Sequence, residues 1–131
     1  METKSIIKIT ALTIGALMAF CISDLSAYQM LFGNSPIVSN YPNPFDSRNS
    51  DTTIVYSIAN QANVRMKIYD LFGNMVREYP EMVNVTGLNK VVWDGTNEIG
   101  QKVAKGGYIC LIEVYYGSKP IVITRKIGVI H

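Results

Sequence analysis

Two acidic loops, one cysteine and one histidine are the only residues beyond the N-terminal segment whose types and spacing invite chemistry. Asp46, Asn49 and Asp51 fall in one polar stretch, and Asp94, Asn97 and Glu98 in another. Oxygen donors at that spacing suit a hard cation such as Ca²⁺, yet neither stretch follows the twelve-residue EF-hand pattern. The simpler expectation is that these carboxylates and amides form turns. Cys110 lies among Ile109, Leu111 and Ile112, where a small thiol packs as a core residue. His131 is the only histidine, and it is the last residue. A nucleophile–base–acid relay needs a histidine held on a rigid element, so no catalytic set is expected. One cysteine and one histidine fall short of a four-ligand zinc site, and no glycine-rich phosphate loop is present. The sequence implies no cofactor, no metal and no enzymatic activity.

The elements that must position these residues begin after an address. Lys4 and Lys8 precede an uncharged run from Ile9 to Ser23, followed by Leu25-Ser26-Ala27. The run is shorter than the roughly 20 apolar residues of a spanning helix. It reads as a signal peptide over 1–27, cleaved after Ala27, so contact with a membrane is expected only through this segment. Cys21 would leave with it. Residues 28–39 form a lead-in, and residues 40–131 the domain.

The 131-residue chain carries a formal net charge of +2, with 48% hydrophobic and 17% charged residues. That balance excludes a disordered chain and shows no basic stripe for nucleic acid. Thr52–Ile58 alternates, with Ile54, Tyr56 and Ile58 on one face. A short turn is expected at 60–63. Val64, Met66 and Ile68 then share a face against Arg65, Lys67 and Tyr69. Gly73-Asn74 reads as a hairpin turn, followed by a strand over 75–80. Val91 and Trp93 fall on one face of a strand over 88–94. Two more strands, 108–116 and 121–130, flank Gly117-Ser118-Lys119-Pro120. About seven short strands separated by turn signals predict an all-β antiparallel sandwich. The final hairpin is apolar on both faces, which suits either a central pair covered on one side by the lead-in or a contact surface for a partner, with Ile121 and Val122 as outward positions.

Four blocks in order carry a resemblance: Asn40-Tyr41-Pro42-Asn43-Pro44-Phe45; Val64 to Gly73 with Tyr69, Asp70 and Gly73; Trp93-Asp94-Gly95 with Gly100; and Gly107-Tyr108 with Lys126. Over residues 40–131 the chain resembles the Ig-like domain of the flagellar hook-capping protein and, equally, the C-terminal sorting domains of type IX secretion substrates. The resemblance implies an Ig-like sandwich in which these residues keep the fold and none is catalytic. It implies a protein partner, in a secretion or attachment apparatus or in the envelope, and an exported location at the cell surface, in the outer envelope or outside the cell. A hook-cap-like assembly factor is the alternative; its export route differs from the one that a signal peptide implies. Within the blocks, the prolines should pin an extended segment with Tyr41 and Phe45 as anchors. Asp94 should accept hydrogen bonds from the amides of Thr96 and Asn97, and Gly107 should allow a close backbone approach.

Overall fold

The computed structural model of the chain describes residues 36–131. The expected signal peptide and most of the lead-in lie outside the described residues. Six strands follow: β1 Ile37–Tyr41, β2 Thr52–Asp70, β3 Met75–Glu78, β4 Met82–Trp93, β5 Gly106–Tyr115 and β6 Pro120–Val129. All strand pairings are antiparallel. No helix among the described residues is long and apolar enough to cross a membrane. β1 takes up the last residues of the expected lead-in, so the ordered fold starts before Asn40.

The central element is β2, which runs through both layers. Its first half pairs with β1 on one edge and β4 on the other, from Thr52↔Trp93 to Ile58↔Gly87. Its second half pairs with β5, from Asn63↔Tyr115 to Asp70↔Tyr108, and with β3. The turn expected at 60–63 is not there. The register shifts between Ile58 and Ala62 and again between Ala62 and Val64, while Ala59, Asn60 and Gln61 are exposed. A bulge adds residues to one strand and bends it without ending it. The polar run therefore redirects a single 19-residue strand from one layer to the other. This merges two expected strands into one, and the sandwich has six strands instead of about seven.

Alternation fills the space between the layers. Ile54, Tyr56, Ile58, Val64, Met66 and Ile68 of β2 are buried, as are Cys110, Ile112 and Val114 of β5 and Ile127 and Val129 of β6. The result is an Ig-like antiparallel β-sandwich whose core comes mainly from the period-two faces of β2, β5 and β6, joined by Val38 of β1, Trp93 of β4 and Phe45.

Candidate functional site

The first motif block closes the sheet. Asn43 uses its side-chain amide as a neighbouring strand would use its backbone. Its Nδ2 donates to the Lys126 carbonyl at 2.9 Å, and its Oδ1 accepts from the Gly128 amide at 2.8 Å. Phe45 continues this pairing. Its amide donates to the Gly128 carbonyl, and its carbonyl accepts from the Ile130 amide. The edge of β6 is thereby covered along its last turn of residues, a common way to protect a sheet edge. Phe45 is buried, but Tyr41 is half exposed and anchors nothing in the core. Tyr41 pairs with Thr53, which pairs with Val92, and all three lie on the outer face. Pro42 gives its carbonyl to the buried Thr52 hydroxyl at 2.9 Å, and Pro44 lies against Gly128. The Tyr41–Pro42 and Asn43–Pro44 peptide bonds are cis. Asn40 falls in the inward phase, with its Nδ2 buried and lacking a hydrogen-bond partner.

The Trp93 block builds a corner. The Trp93 ring meets Phe45 edge-on at 5.6 Å and Tyr108 edge-on at 5.4 Å, which joins the first, third and fourth blocks through one side chain. Its Nε1 donates to the Thr96 carbonyl at 2.9 Å. Asp94 Oδ1 accepts from the Thr96 amide at 3.0 Å and the Thr96 hydroxyl at 2.6 Å. The Asn97 amide does not join it and donates to the Gln101 carbonyl instead, because Asn97 starts a turn of its own that Gly100 closes. Partial burial opposes ionisation of Asp94, but the two bonds from Thr96 outweigh it, so the carboxyl titrates below its ordinary value. Gly95 has φ +76°, and a Cβ there would stand 2.5 Å from Ser47 Cβ, so no other residue fits without moving the strap that follows Phe45. Tyr108 is buried, and its hydroxyl donates to the Ala104 carbonyl at 2.6 Å.

The Asp70 block builds a tip. Asp70 Oδ1 accepts from the amides of Phe72 and Asn74, both at 2.9 Å, and Oδ2 accepts from the Asn74 side chain at 2.8 Å. Those bonds, the Asn74 side-chain bond foremost, lower the carboxyl below its usual range. Backbone bonds from Asp70 to Asn74 and from Gly73 to Asp70 complete the turn. Tyr69 stands on the outer face opposite Ile109.

The remaining candidates separate. Asp46 accepts from the Arg48 amide and the Asn49 side chain, Glu98 from the Glu78 amide, and Asn97 from the amides of Ile99 and Gln101. Among the described residues no three metal-binding side chains of the His, Cys, Asp and Glu types converge. Cys110 is buried, and burial pushes its thiol up to about 12, far from a reactive thiolate. Of the two hairpin positions, only Val122 faces out, at 52% exposure. Ile121 pairs with the buried Val114 and packs partly against the core, which corrects its expected outward placement. Lys126 stands on the outer face opposite Ile109.

A sandwich in which the motif side chains serve turns, edges and the aromatic corner defines a structural module of the Ig-like class. The family model of the FlgD Ig-like domain matches residues 43–118. The chain belongs to that family. No curated protein matches it. Among solved structures it resembles dimeric latent PorU from Porphyromonas gingivalis, with a TM-score of 0.58 and 22% identity, over 72% of this chain and 9% of that one. It also resembles PorZ, an essential surface component of the type-IX secretion system of the same organism, with a TM-score of 0.48 and 25% identity, over 79% of this chain and 12% of that one. The chain thus spans a small part of either protein, and the likeness to PorU is one of fold.

Proposed function

We propose that the chain is an exported, non-enzymatic Ig-like module that works by protein–protein contact with a secretion or attachment apparatus at the cell surface. The observation that carries this reading is the division of labour among its side chains. The polar motif residues Asn43, Asp70 and Asp94 are occupied by hydrogen bonds within the fold. Several large apolar side chains, Phe72 and Ile99 above all, stand in solvent at 93% and 75% exposure. Exposed apolar surface marks a contact where it is contiguous, and Phe72 adjoins Leu71, 68% exposed, on one turn. The buried Cys110 thiol and the solvent exposure of His131 support the non-enzymatic part. Membership in the FlgD Ig-like family supports the module class, and the order of the four motif blocks supports a sorting or attachment role.

Fractionation with mass spectrometry of both termini tests the reading. The chain should be found in the outer envelope or at the surface, beginning at Tyr28. A chain confined to the cytoplasm with Met1 in place contradicts it. The family match also favours a second reading, a hook-cap-like assembly factor. Co-purification with hook structures and an uncleaved N-terminus would establish that one instead.

A further inference from the structure

The β2–β3 turn displays its apolar side chains on a braced support. Phe72 is 93% exposed and Leu71 68%. A flexible loop would lose much of its binding energy to ordering, whereas this turn is fixed by both oxygens of Asp70. Leu71 is braced from below as well: it lies across Gly107, where an added Cβ would stand 3.2 Å from Leu71 Cδ1. Beside the pair runs a groove lined by Leu71, Phe72, Lys105 and Tyr108. Lys105 also borders the next groove, together with Lys102 and Arg48. Lys102 Nζ donates to the Asp94 carbonyl at 2.6 Å, and none of the three cations enters either of the two ion pairs found among the described residues, Arg65–Glu81 and Lys67–Glu78. An apolar anchor thus stands next to a cationic rim.

We propose that this tip is the docking element of the module, and that its partner is a folded protein with an apolar pocket for the Phe72 ring and an acidic rim facing Lys105, Lys102 and Arg48. The proposal rests on the protein-contact reading above and narrows it to one surface. The placement favours a pocket over a lipid bilayer. Asp70 sits at the base of the same turn, one residue from Leu71 and two from Phe72. Insertion deep enough to cover both would press that carboxylate against the headgroups. A pocket closes around the ring and leaves Asp70 in water. Apolar anchors of this kind, ringed by complementary charge, dominate the affinity of protein interfaces.

The test uses the chain purified from the cells that export it and measures its binding to washed cells of the same strain. Three comparisons accompany it: cells stripped by surface proteolysis, vesicles containing anionic lipid, and sedimentation of the chain alone. Phe72→Ser and Leu71→Ser should each weaken cell binding at least tenfold with unchanged circular dichroism. Lys102→Glu with Lys105→Glu should weaken it severalfold at low salt and less at high salt. Proteolysis of the cells should abolish binding, and the vesicles should take up none. Wild-type affinity in Phe72→Ser with loss in Val122→Asp overturns the tip and keeps the contact reading, which then moves to the hairpin. Wild-type affinity in all of these variants also overturns the tip. If the unmutated chain binds no cells, the contact reading itself falls. Phe72-dependent binding to vesicles, or a Phe72-dependent dimer in sedimentation, replaces the proposed partner with a membrane or a second copy.

Discussion

Two turns of this domain use the same local chemistry to opposite ends. At each, an aspartate carboxylate accepts hydrogen bonds from groups just downstream (the amides of Phe72 and Asn74 at Asp70, the amide and hydroxyl of Thr96 at Asp94), and a nearby glycine takes a positive φ, +76° at Gly95 and +88° at Gly73. At the Asp94 turn the adjoining aromatic, Trp93, is 1% exposed and clamps Phe45 and Tyr108 together. At the Asp70 turn the adjoining aromatic, Phe72, stands in solvent. A Cβ at Gly95 collides with Ser47, while a Cβ at Gly73 meets nothing. One turn consolidates a core and the other holds up a display. A motif of Asp, Gly and an aromatic therefore states that a turn is rigid. The packing around it decides what the rigidity serves.

The largest effect that would break this comparison lies at the corner. Trp93→Ala should cost roughly 3–5 kcal/mol in urea unfolding, the range for loss of a large buried aromatic. Gly95→Ala should cost about 2–4 kcal/mol, from overpacking against Ser47 together with the left-handed backbone. Gly73→Ala carries only the backbone penalty, about 1 kcal/mol. Equal costs at the two glycines would erase the distinction between the turns. Next comes the strap: Asn43→Ala removes two hydrogen bonds to β6 and should cost about 1–2 kcal/mol in the same assay.

Acid sharpens the comparison further. Asp94 and Asp70 both ionise more readily in the folded chain than in the unfolded one. Their contribution is therefore full above the ordinary aspartate range, about 4, and is lost as pH falls through their lower folded values. Stability measured by urea should decline on acidification below about pH 4. Asp70→Asn and Asp94→Asn should each be less stable than the wild type at pH 7 and show a shallower acid dependence. Smallest of all, Phe72→Ser should change unfolding free energy by no more than about 0.5 kcal/mol, as for exposed substitutions generally.

Much of this is legible in the sequence. The alternation of Ile54, Tyr56 and Ile58, and of Val64, Met66 and Ile68, placed the core correctly because a strand buried on one face must alternate. Trp93 and the Gly73-Asn74 turn were equally plain. The stretch 60–63 misleads, because a bulge and a turn share the same composition; only pairing partners on both edges show that β2 continues. Ile121 misled for a related reason. Next to Pro120, the phase of a strand cannot be read until its partner, Val114, is known. The bridging role of Asn43 depends on a strand 83 residues away and left no local signal. The tip was legible as a turn, while its exposure was not, since Leu71-Phe72 has the composition of a buried pair.

The most direct test of the account pairs two readings on one preparation of Phe72→Ser: its unfolding curve followed by Trp93 fluorescence, and its retention on washed cells of the strain that expresses it. The account predicts an unfolding curve that overlays the wild type and retention reduced at least tenfold. Full retention with an unchanged curve would show that the display at the Asp70 turn has no audience, and would contradict it.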